Sequence, residues 1–123
     1  MTNILEAIIN IANNPILEIR NHYTGRNRAN NVGEALEMFV KDAFANTIQE
    51  HDEQVKNTKF NQVFSWLGNQ NHPPDIMIRK GDAIEVKKTQ SANSDLALNS
   101  SYPKSNFQSN STVITQECKN CEE

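Results

Sequence analysis

Two short segments near the middle of the chain, 75–78 and 83–87, alternate between apolar and other side chains around a tight turn. The even positions are β-branched and apolar: Ile76, Ile78, Ile84 and Val86. Because successive side chains of a strand point to opposite faces, each segment predicts a strand with one apolar face. The two apolar faces coincide only if even positions pair with even positions, which requires a turn with an odd number of residues. We therefore predict a β-hairpin closed by the turn Lys80-Gly81-Asp82.

The other face of this predicted hairpin carries charge. In the expected register Asp75 lies opposite Lys87 and Met77 lies opposite Glu85. Two neighbouring carboxylates repel each other unless a cation lies between them, and Mg²⁺ accepts such oxygen ligands. A bound metal can polarise a phosphoryl oxygen and activate water, and a nearby lysine can stabilise the developing negative charge. Phosphodiester hydrolysis needs this set of groups, whereas ordinary charges on an exposed sheet face are the alternative interpretation.

Two helices are predicted ahead of the hairpin. Residues 3–13 have apolar positions at helical spacing, with Asn3 and Glu6 as a capping pair. Residues 33–45 carry one apolar stripe, with Glu37 at its edge and Glu34 nearly opposite its centre. Segment 63–67 is predicted to be a strand, whereas 49–59 is either a solvated helical extension or a loop. The expected class is α/β, a mixture of helices and strands.

Composition excludes several classes of protein. The chain of 123 residues is long enough for one small domain, and its net charge of −3 excludes a histone-like basic protein. No apolar run approaches the roughly 20 residues of a membrane span, and the first residues lack the features of a signal peptide. Cys118 and Cys121 are too few for a disulfide framework. We therefore expect a cytoplasmic protein with no membrane partner; the two thiols are either ordinary or half of a zinc site.

The residues of the predicted hairpin resemble a known signature. Pro74-Asp75, followed after nine residues by Glu85-Val86-Lys87, is similar to the motif of the PD-(D/E)XK nuclease superfamily. The longer stretches 69–75, 81–88 and 96–105, with Arg28-Ala29-Asn30 and the 33–44 helix, resemble the NgoPII-type type II restriction endonucleases. This similarity runs through essentially the whole chain.

The resemblance implies a metal-dependent endonuclease that cuts double-stranded DNA at a short palindrome, GGCC for the family's namesake, with Mg²⁺ as cofactor. Carried over by motif, Asp75 and Glu85 would be metal ligands and Lys87 the catalytic lysine. The superfamily often adds a glutamate from the preceding helix, and Glu37 fits that role better than Glu34. The implied fold is a restriction-endonuclease-like core in which helices pack on a small mixed sheet containing the 75–87 hairpin.

Six further residues are candidate DNA contacts. Four follow the catalytic strand and can bond base edges or phosphates: Asn99, Ser100, Ser101 and Lys104. Arg26 and Arg28 are candidate phosphate clamps, although a plain surface loop is almost as good an interpretation.

Members of the resembled family are substantially longer than this chain. We therefore expect residues 1–123 to form a single catalytic domain that is truncated and incomplete at its C-terminus. Two alternatives to restriction activity remain open: a catalytically inactive fragment that at most binds DNA or a subunit, and another nuclease of the superfamily that acts in repair or recombination. A palindromic target favours a two-fold homodimer when the protein is complete.

Overall fold

The computed structural model describes residues 2–23, 32–69, 72, 74–89, 91–96, 110, 112 and 116. Within these residues helices precede strands along the chain. The helices are α1 (Ile4–Asn13), α2 (Ile19–Tyr23), α3 (Val32–Ala45) and α4 (Glu53–Val63), and the strands are β1 (Phe64–Trp66), β2 (Ile76–Ile78) and β3 (Ala83–Ile84). The expected mixture of helices and strands is therefore confirmed.

Helix α1 begins where the capping pattern predicts. The Asn3 side chain accepts a hydrogen bond of 3.0 Å from the backbone N–H of Glu6, which satisfies one of the first N–H groups of the helix. The helix packs on α3 through buried Ala7, and the Asn10 side-chain amide donates to the carbonyl oxygen of Ala43 at 2.8 Å. Its larger aliphatic side chains remain substantially exposed, namely Ile4, Leu5, Ile8 and Ile9.

Helix α3 buries a polar group that the apolar pattern did not predict. Asp42 is fully buried, and its Oδ2 accepts a 2.6 Å hydrogen bond from the Tyr23 hydroxyl and lies 2.8 Å from Lys56 Nζ. Its Oδ1 accepts from the Thr47 hydroxyl at 2.6 Å. A buried carboxylate is tolerated only when it is paired and hydrogen-bonded. The Asp42 cluster, formed by these four residues, therefore ties α2, α3 and α4 together.

The polar region 49–59, which the sequence left open, contains the start of a separate helix. Asp52 is the N-cap of α4, and its Oδ1 accepts hydrogen bonds from the backbone N–H groups of Gln54 at 2.8 Å and Val55 at 3.2 Å. The helix runs directly into β1 at Phe64, so α4 positions the first strand of the sheet.

The sheet has the strand order β1-β2-β3, and both strand pairs are antiparallel. The expectation of a mixed sheet is therefore wrong for the strands that the structure describes. Ile76, Met77 and Ile78 of the central strand β2 are all buried. The prediction that Met77 lies on a charged, open face is also wrong, because a central strand covered on both faces buries both sets of side chains.

The hairpin has a turn of odd length, as predicted, but its register differs by two residues. Ile76 pairs with Ile84 and Met77 with Ala83, and the Ile78 N–H donates to the carbonyl oxygen of Asp82 at 3.0 Å. The turn is therefore 79–81, and Lys80, with φ 57°, adopts the left-handed conformation expected of a glycine. A shift of two residues keeps every side chain on its own face, so the apolar pattern cannot distinguish these registers.

Within the described residues, no helix combines the length and apolar character needed to cross a membrane.

Candidate active site

An open cleft of about 420 Å³ lies between α3 and the segment that follows β3. Its α3 side consists of Gly33, Leu36 and Glu37, and its other side consists of Val86, Lys87, Lys88 and Asp95. Two of the sequence-predicted catalytic residues, Glu37 and Lys87, therefore line one cavity.

Asp75 lies immediately before β2, and its side chain bridges the two strands of the hairpin. Its Oδ2 accepts a 2.6 Å hydrogen bond from the backbone N–H of Val86. Continuing the observed register by one residue sets Asp75 opposite Glu85, rather than opposite Lys87 as expected, and Glu85 is not opposite Met77. In that register the two residues that were assigned to the metal lie across the hairpin from each other, and the charges of both act on Glu37.

Glu85 and Lys87 form an ion pair at the open side of the hairpin. Lys87 Nζ donates to Glu85 Oε1 at 2.7 Å, and both side chains are partly exposed. This hydrogen bond is the main reason that the pKa of Lys87 is raised, with smaller contributions from the charges of Glu85, Asp75 and Glu37 against an opposing effect of burial. Such an exposed pair contributes little to folding stability. Its main effect is on the distribution of charge beside the cleft.

The pKa of Glu37, on the α3 side of the cleft, is shifted by charges of the same group. Its pKa is raised, first by partial burial and then by the negative charge of Asp75, while Lys41 opposes the shift. Glu85 also contributes to the increase. The structure therefore brings Glu37, Asp75, Glu85 and Lys87 close enough for their charges to act on one another.

The carboxylates of Asp75 and Glu85, which lie beside the cleft residue Val86, fit a hard divalent cation. In the part of the chain that the structure describes, no three His, Cys, Asp or Glu side chains are grouped to hold a metal by themselves. Mg²⁺ does not need such a cage, because it is usually bound by one or two carboxylates together with water and substrate phosphate. Asp75 and Glu85 supply two carboxylates, whereas the three or four nitrogen and sulfur ligands typical of zinc are not assembled among the described residues.

The predicted DNA contacts cannot be placed beside this site. Arg26, Arg28, Asn99, Ser100, Ser101 and Lys104 all lie outside the described residues, as do Cys118 and Cys121.

Sequence reasoning missed one charged residue of this region. Lys41 follows Glu37 by four positions in α3, so the two side chains share a helix face. Lys41 Nζ donates to the carbonyl oxygen of Leu67 at 3.0 Å. Its pKa is lowered by burial, while the charges of Glu37 and Asp75 oppose that shift. The i, i+4 spacing from Glu37 was the available signal.

Glu37, Asp75, Glu85 and Lys87 thus form a group of interacting charges in a mixed α/β chain. Comparison with known proteins gives the family: residues 2–123 match the NgoPII restriction endonuclease family. The chain is 48% identical over 120 residues to the type II restriction enzyme NgoPII of Neisseria gonorrhoeae. The chain belongs to the NgoPII restriction endonuclease family.

The matched region covers 98% of this chain but 43% of the gonococcal enzyme, so the chain spans less than half the length of that relative. No solved structure gives a significant match.

Proposed function

We propose that this chain carries the catalytic centre of a type II restriction endonuclease, which hydrolyses double-stranded DNA at a short palindrome in a Mg²⁺-dependent reaction. The observation that carries this proposal is a group of four interacting charges, Glu37, Asp75, Glu85 and Lys87, beside a cleft that Glu37 and Lys87 line, in a member of a restriction endonuclease family. The proposed site is GGCC, the sequence associated with the family's namesake.

The proposed architecture is a single domain, 1–123, with a restriction-endonuclease-like core of the PD-(D/E)XK type. Support comes from the order of the described elements, since α3 with Glu37 precedes a hairpin with Asp75 before β2 and Glu85 after β3. A cytoplasmic location and a homodimer of the complete protein follow from the proposed function, because a palindrome is read by two symmetric copies.

The four charged residues at and beside the cleft would each have a separate chemical role. Asp75 and Glu85 would hold Mg²⁺, whose chemistry is to polarise a phosphoryl oxygen and lower the pKa of a bound water. Lys87 donates a hydrogen bond to Glu85 and interacts with the charge of Asp75, and it would stabilise negative charge that develops on the phosphate. Glu37 would orient water or a metal-bound group from the α3 side of the cleft. The six DNA-contact candidates, Arg26, Arg28, Asn99, Ser100, Ser101 and Lys104, would hold the duplex.

The direct test uses the 123-residue chain, a plasmid with several GGCC sites and Mg²⁺. A matched plasmid with one base changed in each site controls for sequence specificity, and EDTA controls for the metal. Discrete fragments that end at GGCC, seen only with the first plasmid and with Mg²⁺, are the expected result.

Two other outcomes would replace this proposal with its alternatives. Nicking that follows DNA structure rather than sequence would indicate a repair or recombination nuclease of the same superfamily. A folded chain that binds DNA without cutting either plasmid would identify a catalytically inactive fragment.

A further inference from the structure

Lys41 connects the helix that carries Glu37 to the end of β1. It lies one turn after Glu37 in α3 and is partly buried. Its ammonium donates to the carbonyl oxygen of Leu67 at 3.0 Å, and Leu67 directly follows Trp66, the last residue of β1. The contact joins two elements that are 26 residues apart in the chain, so it fixes tertiary geometry rather than a local turn.

The segment that Lys41 holds supports Asp75 directly. Gly68 has φ 80°, and a Cβ at this position would collide with the carbonyl oxygen of Asp75, so the two backbones are in contact. On the other side of Leu67, the Trp66 indole N–H donates to the carbonyl oxygen of Pro74 at 2.9 Å. A displacement of Leu67 would therefore be passed to Pro74 and Asp75.

The charge of Lys41 also acts on the proposed metal site. Glu37 and Asp75 both favour the charged form of its ammonium, against the effect of burial. Lys41 in turn lowers the pKa of Glu37. A cation in this position partly offsets the negative potential that would attract a divalent metal.

We propose that Lys41 is a positioning residue of the cleavage site. It holds Asp75 at a set distance from Glu37, and its positive charge offsets part of the negative charge of Asp75 and Glu37. This inference rests on the proposed function, because it assigns Lys41 a role toward the proposed metal ligands. It differs from a purely structural role in one measurable respect. A lysine that only tied Leu67 to α3 would influence folding, but the loss of its charge would leave metal affinity unchanged.

Three substitutions separate the charge of Lys41 from its hydrogen bond. Lys41→Met removes both, Lys41→Gln keeps a donor without charge, and Lys41→Arg keeps both. Lys59→Met is the matched control, because Lys59 lies on α4, whereas the lysine charge that acts on Glu37 is that of Lys41. The probe is Mn²⁺ alone, without DNA, with bound metal measured by electron paramagnetic resonance on the full chain, and circular dichroism verifies folding.

We expect Lys41→Met and Lys41→Gln to bind Mn²⁺ roughly three- to tenfold more tightly than the parent chain, because a nearby positive charge is removed. Lys41→Arg and Lys59→Met should retain the parent affinity. The fluorescence of Trp66, the one tryptophan of the chain, should shift in Lys41→Met and stay constant in Lys41→Arg, since it reports the segment bonded to Pro74. If Lys41→Met cannot fold, Lys41→Gln decides the charge effect.

Unchanged Mn²⁺ affinity in the folded uncharged variants, with clear binding by the parent chain, would overturn the role of Lys41 and leave the metal site standing. Absence of Mn²⁺ binding in the folded parent chain would instead overturn the proposed metal site, and the inference with it.

Discussion

The carboxylate of Asp75 accepts a 2.6 Å hydrogen bond from the backbone N–H of Val86, and this contact closes the hairpin at the end nearest the cleft. Val86 itself lines the cleft, between Glu85 and Lys87 in sequence. The carboxylate of Asp75 thus binds the residue that lies between Glu85 and Lys87, two residues that follow β3 and are proposed to act in catalysis. Asp75 therefore has a structural contact as well as a proposed catalytic role. A substitution of Asp75 tests the catalytic role only if it preserves the hydrogen bond to Val86.

Asp75→Asn meets that requirement, because the amide retains an oxygen that can accept from Val86. We expect Mg²⁺-dependent cleavage to fall about 100-fold or more, since metal coordination supplies several kcal/mol of transition-state stabilisation and about 1.4 kcal/mol is worth a factor of ten. Initial rates on a GGCC plasmid give the measurement. Asp82→Asn is the control on the same hairpin, since only the backbone of Asp82 bonds to Ile78; equal losses in both variants would contradict the assignment.

Glu37 and Glu34 provide a matched pair on one helix. Glu37 lines the cleft, whereas Glu34 is absent from its lining, although both belong to α3. We expect Glu37→Gln to lower the cleavage rate by roughly 10- to 100-fold and Glu34→Gln to leave it near the parent value. Rates at saturating Mg²⁺ compare the two variants, and a larger loss for Glu34→Gln would show that the wrong side of α3 had been chosen.

The hairpin shows how far periodicity carries a prediction from sequence. Alternation identified both strands and the odd length of the turn, because a shift of one residue would expose the apolar set. It could not choose between registers two residues apart, since these bury the same side chains. Lys80 further obscured the choice, because it adopts φ 57° where a glycine would be expected.

Buried polar groups were the other feature that the sequence did not predict. The apolar stripe of α3 could not predict the burial of Asp42, because that burial depends on Tyr23, Thr47 and Lys56, which come from other parts of the chain. Glu37 was selected as a candidate because it borders an apolar stripe and fits the family motif, and the structure places it in the lining of the cleft. Lys41 was missed because its partners, Leu67 and Asp75, become neighbours only when β1 and β2 pair.

The Asp42 cluster makes a prediction about stability. Lys56 is 6% exposed and is an ion-pair partner of Asp42, so Lys56→Met leaves a buried carboxylate without its counter-ion. We expect a loss of about 3 kcal/mol in the free energy of unfolding, at the lower end for such pairs, because two hydroxyl groups still donate to Asp42. Urea denaturation gives the value. Lys59→Met on the same helix is the control, and a loss for Lys56→Met no larger than that of the control would show that the pair is not stabilising.

Tyr23 gives the stability a dependence on alkaline pH. Burial, the hydrogen bond to Asp42 and the charge of Asp42 raise the pKa of Tyr23 far above its usual value of 10.0. The folded chain therefore keeps the Tyr23 proton at a pH where the unfolded chain loses it. The contribution of Tyr23 to the free energy of unfolding is thus complete below about pH 10, and above that pH it declines by about 1.4 kcal/mol per pH unit.

Tyr23→Phe should lower the free energy of unfolding at pH 8 by about 1.5–3 kcal/mol, because a hydrogen bond to a charged group is lost. The same substitution should remove the part of the alkaline decline that Tyr23 causes. Urea unfolding of both chains at pH 8, 10 and 11 measures the effect. The free energies should converge as the pH rises, and a constant difference between the two chains would mean that Tyr23 titrates alike in the folded and unfolded states.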